Sequence, residues 1–197
     1  VIQKRGELME RAGKHGTMMA VINIKTSALE EMCSKVTEET GEPVVVANIN
    51  APQQIVISGG TESIKLVAQH VAKEHGRGIP LKVGGAWHSP YLKDASMEFS
   101  GFLDTITFNK PTMKFFSVVE QKVLDDPHVI KESLKKQMLS QVNWVGAIHN
   151  LIELGYKQFL EIGPSKILKD LVLKIDAGLM ADSTALYTDI DALMEKF

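Results

Sequence analysis

"PVVVANINAPQQIVIS", residues 43–58, is the stretch on which the fold turns. Two runs rich in β-branched residues, Pro43–Asn50 and Gln54–Ser58, flank Ala51-Pro52-Gln53, which reads as a tight connection between two strands. Working outward, the period changes on both sides. Ser27–Thr40 carries apolar residues at 28, 29, 32, 33 and 36, a helical spacing that Gly41 is placed to end. Thr61, followed by Glu62 and Ser63, opens a second helix reaching Gly76. Outside these lie strand-like Thr17–Ile24 and Gly78–Val83. The order β-α-β-β-α-β over roughly 70 residues is the split βαβ, ferredoxin-like arrangement, here assigned to residues 16–85.

Past residue 86 the pattern is α/β alternation. Pro90–Ile106 reads as a helix, Lys114–Val119 as a short strand, and Pro127–Leu139 and Val142–Leu154 as helices. Lys157–Ile162 is a strand, Gly163-Pro164 a turn, and Ser165–Ile175 a helix with Ser165 as its N-cap. Such alternation predicts a parallel sheet covered by helices. Only two strands are clear, with Tyr187–Ile190 a candidate third, and buried parallel strands need neighbours on both sides. The expectation is a sheet without its centre, whose remaining strands lie upstream of Val1. The other end of the chain points the same way. Arg5–Arg11 reads as the middle or end of a helix, with neither an initiator Met nor a cap before it.

Bulk properties narrow the function. With 197 residues and 44% apolar composition the chain can bury a real core. Its 22 basic and 24 acidic residues leave a net charge of −2, which argues against nucleic-acid binding. No apolar run approaches the length of a membrane span. The single cysteine, Cys33, lies on a helical face with Leu29, Met32 and Val36. It reads as a buried thiol in a reducing, cytoplasmic setting.

The chemistry concentrates in "GGAWHSPYLKDA", residues 84–95, where a histidine sits between a strand-like and a helix-like run. Read alone, a histidine in a turn is more often structural than catalytic. The remaining histidines, at 15, 70, 75, 128 and 149, have no metal-ligand spacing.

Several segments, in order along the chain, carry a resemblance. They are Lys4-Arg5-Gly6 with Met9, Gly16-Thr17-Met18-Met19-Ala20, Ala47-Asn48-Ile49-Asn50-Ala51-Pro52 and Ile57-Ser58-Gly59. Ala86-Trp87-His88-Ser89, Gln137 six residues before Asn143-Trp144, and Glu161-Ile162-Gly163-Pro164 complete the set. Together they resemble malonyl-CoA:acyl carrier protein transacylases and the acyltransferase domains of polyketide synthases. The resemblance implies an α/β-hydrolase-like subdomain (residues 1–15 and 86–197, partial) carrying the inserted ferredoxin-like one. It also implies ping-pong transfer of malonyl from coenzyme A, through a serine ester, to the phosphopantetheine thiol of an acyl carrier protein, in fatty-acid or polyketide biosynthesis. Malonyl-CoA is then a substrate and no resident cofactor is expected. The family's serine sits on a G-H-S-x-G elbow, and no G-x-S-x-G occurs here. The nucleophile and the oxyanion donors are therefore expected on an N-terminal remainder of the enzyme, without which these residues alone are inactive.

The resemblance also implies roles. His88 becomes the base that takes the hydroxyl proton and returns it to the leaving thiol. A main-chain carbonyl at Gln137 orients it in place of a triad carboxylate; an exposed polar residue at a helix end is the competing reading. Arg5 grips the free carboxylate of malonyl, because a guanidinium offers two parallel hydrogen bonds that a monocarboxylic acyl chain cannot use. Asn48 and Asn50, two apart on a strand, share a face and would contact the pantetheine arm or simply line a solvated sheet. Trp87 would disfavour an α-methyl group on the substrate, or serve only as packing. The rival readings are an acyl-thioester hydrolase of the same fold, against which Arg5 argues, and a non-catalytic module that binds carrier proteins.

Overall fold

The computed structural model describes residues 1–12, 16–187, 191 and 193. Helix α1 (Ile2–Ala12) leads into strand β1 (Thr17–Ile22), helix α2 (Thr26–Thr40), strands β2 (Val44–Ala51) and β3 (Gln54–Gly59), helix α3 (Thr61–Lys73) and strand β4 (Arg77–Pro80). The strands lie in the order β4-β1-β3-β2, all neighbours antiparallel. Alternation along β1 explains its continuous burial. Met19 and Val21 enter the cluster beneath α2 and α3, while Met18 and Ala20 enter a second cluster on the opposite face, with Ala47, Val56 and Trp87. On α2 the inward residues are Leu29, Cys33 and Val36. Burial, with Glu30 nearby, pushes the Cys33 thiol up to about 12, so it packs as a small hydrophobe. Gly41 ends α2 in the left-handed region (φ +70°), and its N–H donates to Thr37 O.

Strand β2 departs from a regular ladder. Val46 faces Ile57 and Asn48 faces Val56, while Ile49 faces Ile55 and Ala51 faces Gln54. Ala47 and Asn50 are thus extra residues, and the strand carries two bulges. Its outer edge is covered, as described below.

After a 3₁₀ turn (Pro90–Leu92), α4 (Lys93–Asp104) packs on α1 through a cluster holding Leu8, Leu92, Phe99, Leu103 and Met138. Each fully buried side chain of this kind contributes about 1.5–3 kcal/mol. The exposed pairing of Lys4 and Arg11 with Glu98 across the same helices contributes far less. Strands β5 (Phe115–Ser117) and β6 (Lys122–Leu124) form a hairpin, followed by α5 (Pro127–Lys136), β7 (Val142–Asn143) and α6 (Trp144–Glu153). Strand β8 (Gln158–Glu161), α7 (Ile167–Ile175) and β9 (Met180–Ser183) come last, with β8 and β9 paired in parallel. Strand β7 joins β2 in parallel through Asn48↔Val142 and Ile49↔Asn143, extending the antiparallel sheet to five strands.

Several expectations require correction. The strand around residues 114–119 does not enter a parallel sheet; it pairs antiparallel with β6, a strand without a period of its own in the sequence. The helix expected from Val142 begins at Trp144, because Asn143 caps it: its Oδ1 accepts the Gly146 N–H at 2.9 Å. Ser165 is not an N-cap. Helix α7 starts at Ile167, and the carboxylate of Glu161 accepts both Ser165 Oγ (2.6 Å) and the Lys169 N–H (2.9 Å). These bonds, the Ser165 one first, hold Glu161 below the usual carboxylate range, as suits an anion at a helix N-terminus. Strand β9 leaves no trace in the sequence, since MADS has no alternation to read. The candidate strand at Tyr187–Ile190 lies, apart from Tyr187, outside the described residues.

Candidate active site

His88 stands where the chain leaves the antiparallel sheet and turns toward α4. Its backbone is left-handed (φ +56°), a conformation that costs a non-glycine residue about 1–3 kcal/mol and persists where the surroundings impose it. Ser89, wholly buried, imposes it here. Its Oγ donates to Ala86 O at 2.5 Å, and its carbonyl accepts the Leu92 N–H at 3.1 Å. The strained turn thereby holds the imidazole at the junction of the two packing clusters that meet at Trp87.

The ring's Nδ1 lies 3.0 Å from Ser140 O. A carbonyl can only accept, so Nδ1 carries the proton and Nε2 presents its lone pair. Burial lowers the His88 pKa, the Ser140 carbonyl opposes that, the charge of Arg5 lowers it further, and the Gln137 carbonyl adds a smaller opposing bond. The sum is a lowered value, so the ring is neutral at pH 7, as a general base must be. The sequence-based expectation placed the orienting carbonyl at Gln137. The 3.0 Å acceptor instead belongs to Ser140, three residues on. Gln137 still has helical backbone angles at the end of α5, and the chain bends out only after the Leu139 and Ser140 N–H groups close on Lys136 O. Gln137 does line the same cavity.

Arg5 comes from α1. Its guanidinium is half-buried, forms no ion pair among the described residues, and has a buried Nε with no hydrogen-bond partner. Burial pushes its pKa down, yet an arginine keeps its charge. A half-buried cation without a counter-ion is poorly solvated, and an anion beside it relieves that penalty. Arg5 and His88 line two cavities together. One, of about 370 Å³, is walled by Phe116, Val118, Trp144 and Leu168, with Gln137 and Gln141 among its polar groups. The other, of about 530 Å³, adds Met9, Gly84 and Trp87.

The other expected residues divide. Trp87 packs against both apolar clusters and also lines the larger cavity, its indole N–H buried without a hydrogen-bond partner among the described residues. It is packing and cavity wall at once. Asn48 and Asn50 line neither cavity that holds Arg5 and His88; Asn48 sits opposite Val56 and beside Val142, while Asn50 is a bulge residue. Two groups escaped the sequence. Ser140 acts through its main chain, which no side-chain pattern reports. Ser117 and Ser133, their hydroxyls 2.7 Å apart in the cavity wall, come from β5 and α5, and only the tertiary fold pairs them. No group of three or more potential metal ligands occurs among the described residues.

Residues 1–175 match the family model described as acyl transferase domain. The malonyl CoA-acyl carrier protein transacylase of Bacillus subtilis is 39% identical over 182 residues, covering 90% of this chain and 57% of that protein. The structure of MCAT from Streptococcus pneumoniae superposes with a TM-score of 0.92 at 32% identity, over 100% of this chain and 64% of that one. A malonyl-transacylase solved in complex with its type II PKS acyl-carrier protein superposes with a TM-score of 0.93 at 26% identity, again over 100% and 64%. The chain thus spans about three-fifths of the length of these relatives. An imidazole held by a main-chain carbonyl and a guanidinium without an ion pair among the described residues line shared cavities in this mixed α/β fold, and the chain belongs to the acyl transferase domain family.

Proposed function

We propose that these residues form the base and the carboxylate clamp of a malonyl transferase. The enzyme would take malonyl from coenzyme A onto a serine and pass it to the phosphopantetheine thiol of an acyl carrier protein, in fatty-acid or polyketide biosynthesis. The observation that carries the reading is that His88 and Arg5 line the same cavities, the first as a neutral base and the second as a cation with no ion pair among the described residues. In the first half-reaction, His88 Nε2 takes the serine proton as oxygen attacks the malonyl thioester, then gives it to the departing coenzyme A thiolate. In the second, the carrier thiol gives its proton to His88, attacks the serine ester, and the proton returns to the serine oxygen. Throughout, Ser140 O, with a weaker contribution from Gln137, holds the Nδ1–H, as the aspartate does in a Ser-His-Asp triad. Arg5 binds the free carboxylate, which a substrate lacking that group does not engage.

The serine has no place in a G-x-S-x-G of this chain, so the reading requires a polypeptide segment outside these residues. Support comes from the two-stranded parallel sheet of β8 and β9, beside which Ile162 and Ile167 are 83% and 65% exposed. We further assign residues 16–85 to an inserted ferredoxin-like subdomain and 1–15 with 86–197 to the α/β-hydrolase-like one. In support, a Cβ on Gly16 would fall 2.8 Å from that of Ala86, so the chain enters and leaves the insertion at one point. No described helix is long and apolar enough to cross a membrane, and a buried lone thiol suits the cytoplasm. The acceptor assignment is supported by the relative bound to its acyl-carrier protein.

The test joins these residues to a segment bearing G-H-S-x-G and follows the mass of the serine adduct. His88→Ala should abolish self-acylation by malonyl-CoA, while transfer in the parent should yield malonyl-carrier protein. Release of free malonate in place of carrier-bound product would assign a hydrolase instead.

A further inference from the structure

The connector between α5 and α6 carries the carbonyl that holds His88. Ser140 O is a main-chain group on a segment that has left α5 and not yet entered α6. A carbonyl in such a position orients an imidazole only if the segment cannot shift. Ser140 N–H and Oγ donate back to Lys136 O at 3.1 and 2.9 Å, and three further sets of bonds tie the segment to other elements. Val142 and Asn143 pair with Asn48 and Ile49 of β2. Gln121 Nε2 donates to Asn143 O at 3.1 Å, from the β5–β6 turn. Gln141 Nε2 donates to Val46 O at 3.1 Å, across to the antiparallel sheet.

The last bond is the one adjacent to Ser140, and the sheet makes room for it. Val46 directly precedes the Ala47 bulge in β2, where the regular ladder is interrupted. Gln141 also lines both the cavity shared by Arg5 and His88 and a further one of about 430 Å³ bounded by Val45, Val46, Pro90 and Leu139. His88 is the other residue common to those two cavities. Gln141 and His88 thus wall the same two cavities.

We propose that Gln141 is a positioning residue for His88: by tying the connector to the Val46 carbonyl it keeps Ser140 O within reach of Nδ1–H and leaves Nε2 as the base. This rests on the acyl-transfer reading of His88 given above. The bond couples the sheet that ends in the His88 turn to the connector that restrains the ring, so the two halves of the hydrogen bond come from separate elements and need a tie between them.

Two variants test it. Gln141→Glu keeps the size and shape of the side chain but places an acceptor against the Val46 carbonyl; Gln141→Ala removes the reach altogether. The first readout is the ¹⁵N signature of the His88 ring in the protein without acyl donor. The parent should show a protonated Nδ1 and a bare Nε2 at pH 8, and both variants should show a mixture of tautomers. The second is serine self-acylation in the enzyme with its G-H-S-x-G segment. Loss of one oriented hydrogen bond should lower the acylation rate constant about ten-fold, with the KM for malonyl-CoA within about two-fold, since Arg5 is untouched. A parent-like ring signature and rate in Gln141→Glu would overturn the proposal. The ring signature needs no chemistry, so it remains decisive even if His88→Ala leaves acyl transfer intact and the catalytic reading itself falls.

Discussion

Replacing Arg5 by alanine separates the clamp from every other role of that side chain. Its guanidinium has no ion pair among the described residues, and its Nε is buried without a partner. Removing it therefore breaks no side-chain hydrogen bond or ion pair among the described residues and relieves a poorly solvated charge, so the melting temperature should hold or rise slightly. Substrate is another matter. A carboxylate bound through charge-assisted hydrogen bonds in a half-buried site gains about 2–3 kcal/mol, or roughly 30- to 150-fold in kcat/KM. Malonyl-CoA should lose that factor and acetyl-CoA should lose none, so selectivity collapses by the same ratio. Arg5→Lys should recover only part of it, because an ammonium cannot present two parallel donors. The assay is serine self-acylation with the two donors in parallel, in the enzyme carrying its serine segment, with a thermal melt of each variant. Equal losses for both donors, or a large drop in melting temperature, would refute the clamp and make Arg5 a structural residue.

Two further outcomes follow from the same geometry. The folded pKa of His88 is depressed, chiefly by burial with Arg5 adding to it, so the base form and its contribution to stability are present above the unfolded value near 6.5. Both are lost as pH falls through the lower folded value. The acid limb of self-acylation should thus lie below about 6.5 in the parent and move to higher pH in Arg5→Ala; an unmoved limb would show that the two charges do not interact. Gly16→Ala should destabilise by about 1–3 kcal/mol, because φ is +102° and the new Cβ would fall 2.5 Å from Gly59 O and 2.8 Å from Ala86 Cβ. A melting temperature equal to the parent's would dismiss that junction as a tight one.

Local pattern carried much of this protein. The β-branched runs at 43–58, the helical spacing of Leu29, Cys33 and Val36, and the turn at Gly41 are properties of neighbours along the chain, and the sequence alone determined them. His88 and Arg5 were legible as well, because the resemblance rests on side-chain types at fixed places. Tertiary structure decided the rest. Strands β6, β9 and the two-residue β7 are too short for a period; β6 exists only as the second arm of a hairpin, and β7 and β9 only because a strand earlier in the chain supplies their hydrogen bonds. The nearest acceptor for His88 is Ser140 O, with Gln137 only a weaker second, for the same reason. A main-chain carbonyl is chemically identical at every residue, so which one meets an imidazole 52 positions away is fixed by how the chain packs and by nothing written in the side chains themselves.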